Sequence, residues 1–184
     1  MEIEVSAEAK DKRLNRLVAI TVVVLSVFTG LCGIKDGNIV QAMQAAQAAS
    51  VDKWNQYQAT KTKLHMAEAT RLQLATLAPP GKADAAIAGL DKDIAKYKAE
   101  APDLAKAAKA EGDLYDALNV HDDQFDAADA AISTAISLAA VAALAESTAL
   151  LWGAWAFGVF GLFMGIEGFA GGSFHPAVLS TFLG

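Results

Sequence analysis

The chain alternates between uncharged apolar segments and a long charged one. Eighteen consecutive residues without a charge, from Leu17 to Ile34, follow a charged start. Between Ala130 and Ala170 only Glu146 and Glu167 are charged, whereas the segment before it is rich in charge, alanine and glutamine. Uncharged apolar runs of about 18 residues or more are typical of transmembrane helices. The pattern therefore predicts a membrane protein that carries a polar insert.

The first apolar run is interpreted as a membrane span, although a basic flank before an apolar run is also the pattern of a secretory signal. The run is longer than the roughly 7–15 apolar residues of a signal core, and no small-x-small cleavage site follows it promptly. The second apolar zone is about twice the roughly 20 residues that one span needs, so it predicts two spans. The polar residues Glu146, Ser147 and Thr148 supply the turn between them.

These patterns divide the chain into six segments and predict an all-α membrane protein with three transmembrane helices. Basic residues are crowded before the first span, at Lys10, Lys12, Arg13 and Arg16, so the positive-inside rule places the N-terminus in the cytoplasm. In a bacterial inner membrane the insert would then be periplasmic. The segments are a cytoplasmic start at 1–16, spans at 17–35, 129–146 and 149–170, the extramembrane insert at 36–128, and a C-terminal tail at 171–184.

The insert predicts a long antiparallel helical hairpin with its turn at 78–81. Good helix formers dominate before Leu77, and the sequence APPG then ends the helix because neither proline donates a backbone hydrogen bond. Pro102 predicts either a kink or a short break in the returning arm. That arm has apolar residues at the alternating spacing of three and four that is typical of coiled coils, namely Ile87, Leu90, Ile94, Tyr97, Ala101, Leu104 and Ala108.

Charge and cysteine content exclude several classes of protein. The net charge is −6 and no basic stripe occurs, so nucleic acid is not an expected partner. The single cysteine, Cys32, lies in a predicted span, and an internal disulfide is therefore excluded. Expected partners are membrane lipids and other membrane-protein subunits, or further copies of the chain itself.

The sequence gives no positive support for enzymatic activity. It contains no HExxH, haem-attachment or phosphate-loop motif, so we predict no catalytic residue, no cofactor and no metal site. His65 and Glu68 have a spacing that serves metals, but a surface pair is the simpler interpretation. The simpler account of the acidic residues near span ends is an acidic helix entrance for the three aspartates, which would also suit a divalent cation at the membrane surface, and interfacial solvation for the two glutamates. All five carboxylates offer an ion pathway as the alternative. They are Asp122, Asp126, Asp129, Glu146 and Glu167.

An aromatic and basic block in the insert carries a family resemblance. Trp54, Tyr57, Gln58 and Lys61, together with the glycine-rich last span, resemble the bacterial domain of unknown function numbered 4337. The resemblance covers nearly the whole chain and implies an uncharacterised inner-membrane protein, with no catalytic residues to transfer. Trp54, Tyr57 and Lys61 are a candidate partner contact, and a position against the returning arm is equally consistent with the sequence.

The last span carries a stripe of small residues, which we call the glycine seam. Its spacing of four and three places one small residue on each helical turn, which allows another backbone to approach closely in lipid. Ala131, Ala135, Ala139 and Ala142 offer a matching face in the preceding span. The seam consists of Ala154, Gly158, Gly161, Gly165, Gly168 and Gly172.

Two functions are consistent with this sequence. The first is a non-enzymatic structural, scaffolding or assembly role, as a homo-oligomer or as an accessory subunit of a larger membrane complex. The alternative is a transport or ion-conducting module that uses the carboxylates named above. Such a module would have to be a homo-oligomer with a shared pore, because three spans in one chain are too few for a transporter.

Overall fold

The chain is built from three long helices. The computed structural model describes the backbone of residues 2–174 and the side chains of residues 12–174. Helix α1 is Glu2–Leu77, α2 is Asp84–Leu144 and α3 is Thr148–Ala170, and the described residues contain no strand. The prediction of an all-helical chain is confirmed. Each helix is long and apolar enough to cross a membrane.

The two helix breaks follow from local backbone chemistry. After Leu77 the amide of Lys82 donates to the Pro79 carbonyl at 3.1 Å, and Gly81 takes a left-handed φ of 78° that costs glycine little. After Leu144 the amide of Ser147 donates to the Ala142 carbonyl at 3.0 Å, which is the closing bond of a Schellman motif. Glu146 holds the left-handed position there, with φ 51°, although glycine is the usual residue at this point.

Pro102 lies inside α2 without interrupting it. Of the two sequence alternatives, a break with a new helix is therefore wrong. Pro102 is exposed, and a proline within a helix removes one backbone hydrogen bond while its neighbours keep theirs.

The chain divides into two compact units. The three-helix unit comprises Met1–Gln41 and Ala117–Gly184, and the two-helix unit comprises Ala42–Asp116. In the three-helix unit the three helices pack through successive layers of small and apolar side chains. One end layer contains Leu14, Val18, Ala139, Ala142, Leu151 and Ala154, and the next contains Leu25, Ile132 and Ala135.

Small side chains set the distance between helices in this unit. The small-residue face predicted on α2 is buried at Ala131, Ala135, Ala139 and Ala142, and the last three have no exposed area. Cys32 is also buried. Trp155 Nε1 of α3 donates a hydrogen bond to Thr21 Oγ1 of α1 at 2.9 Å.

The two-helix unit pairs the distal parts of α1 and α2. Leu64 and Ala67 of α1 form an apolar cluster with Ile94 of α2. Lys98 lies 2.8 Å from Glu68, and Arg71 forms an ion pair with Asp91. The seven residues of the apolar stripe predicted on α2 are all buried or half-buried.

Candidate functional site

The glycine seam is filled by side chains and backbone of the same chain. A Cβ added to Gly161 would lie 2.6 Å from Ile132 Cγ1 and 3.0 Å from the Ala128 carbonyl oxygen, both on α2. A Cβ on Gly165 would meet α1, at 2.5 Å from the Phe28 ring and 3.0 Å from Cys32 Sγ. The groove that the small residues open is therefore occupied within the three-helix unit.

The other members of the seam behave in three ways. A Cβ on Gly158 would lie 3.2 Å from Leu25 of α1, and one on Gly168 would lie 2.8 Å from the Phe125 ring of α2. Ala154 is fully buried in the end layer. Gly172 differs, because its missing Cβ leaves room for the Glu167 carboxylate of its own helix end.

Carboxylates from α1 and α2 meet at the end of the three-helix unit where α1 leaves its apolar segment. Asp36 faces Asp122, and Asp126 and Asp129 lie close enough to act on it electrostatically. Burial, and then repulsion from Asp122, raise the pKa of Asp36 to about 6. Partial desolvation, and then repulsion from Asp122, Asp123 and Asp129, raise the pKa of Asp126.

Asp36 is the member of this cluster that sequence reasoning missed. Its Oδ1 atom is buried and has no hydrogen-bond partner among the described residues. The signal was available, because Asp36 ends the first apolar run just as Asp122, Asp126 and Asp129 begin the second. Two antiparallel spans bring such ends to the same level.

The five carboxylates of the predicted ion pathway lie at two separate ends. Glu146 is exposed in the turn between α2 and α3, and Glu167 is half-buried at the last turn of α3. Glu146 is seventeen positions after Asp129 in the chain, so about 25 Å of helix and turn lies between them at 1.5 Å per residue. Within one chain the structure does not bring these groups together.

Gln124 ties the start of the C-terminal segment to α2. Its side chain has no exposed area, and its Nε2 donates to the carbonyls of Gly172 at 3.0 Å and Phe174 at 2.7 Å. His121 Nδ1 lies 3.0 Å from Gln124 Oε1, and because that oxygen can only accept, His121 carries the proton on Nδ1. Only residues 171–174 of the predicted tail are described, and His175 lies outside them.

The aromatic pair of the candidate partner contact is stacked edge to face on α1. The ring centroids of Trp54 and Tyr57 are 5.5 Å apart, with 86° between the planes. Trp54 is 41% exposed, whereas Tyr57 and Lys61 are half-buried. The indole is therefore available on the surface of the two-helix unit.

Beside Trp54 runs a second surface feature that sequence reasoning missed, which we call the uncharged stripe. It follows α1 with the alternating spacing of four and three, contains no Lys, Arg, Asp or Glu, and is exposed at all ten positions. Asp52 borders it, in a shallow groove shared with Gln44, Ala48, Val51 and Asn55. The stripe consists of Gln44, Ala48, Val51, Asn55, Gln58, Thr62, His65, Ala69, Leu72 and Thr76.

No metal centre is formed by the described residues, since no group of three His, Cys, Asp or Glu side chains has suitable geometry. His65 Nδ1 lies 3.6 Å from Glu68 Oε2, while the other oxygen of Glu68 binds Lys98. The hydrogen bond from Lys98 holds the pKa of Glu68 below its usual value. His65 and Glu68 thus belong to a surface charge network.

Comparison with known proteins gives a family. The family model described as domain of unknown function (DUF4337) matches residues 14–171, which include all three candidate spans and the whole two-helix unit. No curated protein matches the chain, and no solved structure does.

Proposed function

Because this chain belongs to the domain of unknown function (DUF4337) family, whose description gives no reaction, we propose its role from geometry. It is a non-enzymatic integral membrane protein that assembles with further copies of itself, or with other subunits, through its distal helices. The observation that supports this role best is the uncharged stripe. A solvated helix of this length normally has charges among the residues of its outer face, whereas these ten exposed positions carry none and Asp52 lies at their border.

The membrane arrangement is the first part of the proposal. Helices α1, α2 and α3 each supply one span, and the two-helix unit is an antiparallel hairpin outside the membrane. Contacts at Arg71–Asp91 and at Glu68–Lys98 support the antiparallel pairing, because partners later in α1 are earlier in α2. The hydroxyl of Ser50 adds a third such pair by donating to the Ala108 carbonyl at 3.0 Å.

The orientation in a bacterial inner membrane is the second part. The turn between α2 and α3 has no base of its own, but Arg13 of α1 shares a groove with Thr148 of α3. The basic flank of α1 and this turn therefore lie at one end of the three-helix unit, and the positive-inside rule favours the cytoplasm for both. An alkaline phosphatase domain fused in the 78–83 loop tests this, since it is active only when exported.

The uncharged stripe favours a second copy of the chain as the partner. Copies inserted in the same direction present their α1 helices parallel to each other, and Asn55 falls at an a-type position of the stripe. A single asparagine at this position is typical of two-stranded parallel coiled coils, where the two amides pair across the interface. Val51 and Leu72, at 55% and 67% exposed, supply apolar contacts at d-type positions.

Cysteine cross-linking in native membranes tests the assembly. The buried Cys32 is first replaced by alanine, and Val51→Cys is then oxidised. A parallel dimer places the two introduced thiols opposite each other, so we expect a band of twice the chain mass. Glu100→Cys, at an exposed position on α2, is the matched control and should stay at the mass of one chain. Equal cross-linking of the two variants, or none of either, contradicts assembly through this face.

The transport alternative lacks a comparable observation. It needs carboxylates along a shared path, whereas the helix faces that meet between Glu146 and Asp129 are built from alanine, glycine and larger apolar residues. Acidic groups at one mouth of a bundle do not by themselves make a conduit. We therefore place the assembly role first.

A further inference from the structure

A groove between α1 and α3 combines a basic, a hydroxyl and an aromatic side chain at one end of the three-helix unit. It has a volume of about 430 Å³, and Arg13 and Thr148 are among the residues that line it. Trp152 and Trp155 form its aromatic wall, with their ring centroids 5.1 Å apart and 79° between the planes. Tryptophan with a basic residue is the composition that proteins place at headgroup level.

A second groove continues from the first along the same pair of helices. It has a volume of about 220 Å³ and shares Trp155 with the first groove. Its walls are apolar, with Ile20 and Val24 from α1 and Val159 and Leu162 from α3. Thr21 also lines it, but its hydroxyl already accepts the hydrogen bond from Trp155. An apolar occupant of this groove therefore leaves that hydroxyl with a hydrogen-bond partner.

We propose that the two grooves together bind one anionic phospholipid. The phosphate lies at Arg13 and Thr148, and an acyl chain lies along Ile20, Val24 and Val159. Arginine recognises phosphate oxygens through several N–H donors, and Thr148 is the first residue of α3, where the helix dipole is positive. This inference rests on the proposed insertion of α1 and α3 in the membrane, but it does not depend on assembly of the chain.

Charge complementarity decides between classes of lipid. The flank that carries Arg13, residues 10–16, holds four bases against one acid, and basic residues close to a bilayer attract anionic headgroups. A zwitterionic lipid gains little from this field, because its own ammonium group is repelled. The lower groove separates a bound lipid from a free phosphate, since only a lipid also occupies apolar walls.

Lipid retention measured by native mass spectrometry tests the proposal. The purified full chain is reconstituted in nanodiscs with equal amounts of phosphatidylglycerol and phosphatidylcholine, and the lipids that stay on the chain after release are counted. We expect one retained phosphatidylglycerol, preferred about tenfold over phosphatidylcholine, the order of discrimination that one charge-assisted hydrogen bond gives. Counting is done on the mass peak of the single chain, so a failure of assembly does not affect the result.

Three variants make the test specific. Arg13→Gln should remove most of the preference for phosphatidylglycerol, whereas Arg16→Gln removes the same charge from an exposed position that does not line the groove and should keep it. Val159→Trp, which fills the lower groove without changing charge, should lower retention of both lipids. Thermal unfolding of each variant checks that it is folded.

Three results overturn the proposal. Equal loss in Arg13→Gln and Arg16→Gln indicates diffuse charge attraction and no site. Equal retention of the two lipids in the unmodified chain shows that the groove does not read the headgroup. Unchanged retention in Val159→Trp, with the variant folded, shows that no acyl chain occupies the lower groove.

Discussion

Gly161 is the position at which α3 comes closest to the backbone of α2, and replacing it by alanine perturbs only that approach. The added Cβ would lie 2.6 Å from Ile132 Cγ1, 3.0 Å from the Ala128 carbonyl oxygen and 3.2 Å from the Ile132 amide nitrogen. The Ile132 side chain has rotamers with which to respond, but the two backbone atoms do not. Relief therefore requires α2 and α3 to separate, and each layer of small residues next to Gly161 then loses contact.

The magnitude follows from two opposing effects. Overpacking of a filled core costs about 1–3 kcal/mol. Replacing glycine by alanine inside a helix contributes about 1 kcal/mol in the other direction, from helix propensity. Gly153→Ala, in the same helix as Gly161, isolates this propensity effect. A Cβ at Gly153 would lie 3.9 Å from Leu138 Cδ1 of α2, which is an ordinary van der Waals contact.

We expect Gly161→Ala to be less stable than Gly153→Ala by about 1–3 kcal/mol, since the propensity contribution is common to both. At about 2–4 °C per kcal/mol for a chain of this length, Tm should differ by several degrees. Thermal unfolding in one detergent, followed by the fluorescence of Trp152 and Trp155, measures the difference. Equal Tm values for the two variants, or a higher Tm for Gly161→Ala, would refute the close approach of α2 and α3.

Four further substitutions test three other features. Asp36→Asn should raise Tm at pH 8 but not at pH 4. The Asp36 carboxyl contributes stability below its unfolded-state pKa, and this contribution is lost as pH rises through its raised folded-state pKa of about 6. An increase in Tm that is the same at both pH values contradicts the repulsion. Glu146→Gly should stabilise the chain by about 1 kcal/mol by relieving a left-handed backbone, and Gly171→Ala, at φ 70°, should cost a similar amount; equal signs in the two Tm shifts contradict the turn geometry. Gln124→Leu leaves the Gly172 and Phe174 carbonyls without their donor, at a cost of about 1–3 kcal/mol in stability. A protease should then cleave the chain after Phe174 faster than it cleaves the unmodified chain. An unchanged cleavage rate shows that Gln124 does not hold this segment.

The helices could be predicted from the sequence because their ends are marked by local chemistry. Pro79, Pro80 and Gly81 end α1 whatever surrounds them, and Glu146, Ser147 and Thr148 form a polar cluster near the middle of the second apolar zone. The course of α2 through Pro102 was less determined. A proline permits either a kink or a new helix, and the packing of the flanking residues, which is not local, decides between them.

The partner of the glycine seam could not be predicted. A stripe of small residues shows that something approaches closely, but it carries no information about what does. The alanine face of α2 had a matching pattern and was found. The face of α1 had none, because Leu25, Phe28 and Cys32 are large or ordinary residues that fill the gaps left at Gly158 and Gly165.

The surfaces were harder still, since they depend on which face of a helix is already covered. The uncharged stripe of α1 is exposed because Leu64 and Ala67, on another side of the helix, pack against α2. The α1–α3 groove likewise joins Arg13 to Thr148 across more than a hundred residues of sequence. Neither relation has a signature in a local window.

The hydrogen bond between Trp155 and Thr21 spans 134 positions of the chain, and this separation sets a timetable for biosynthesis. At roughly 5–20 residues per second, Thr21 leaves the ribosome roughly 7–27 s before Trp155, the residue of α3 that completes this contact. During that interval the surface of α1 around Leu25 and Phe28 is without its final neighbour α3. Under the membrane arrangement proposed above, lipid or the insertion machinery covers this surface, and a ribosome that stalls within the window leaves an inserted α1 without its partner helix.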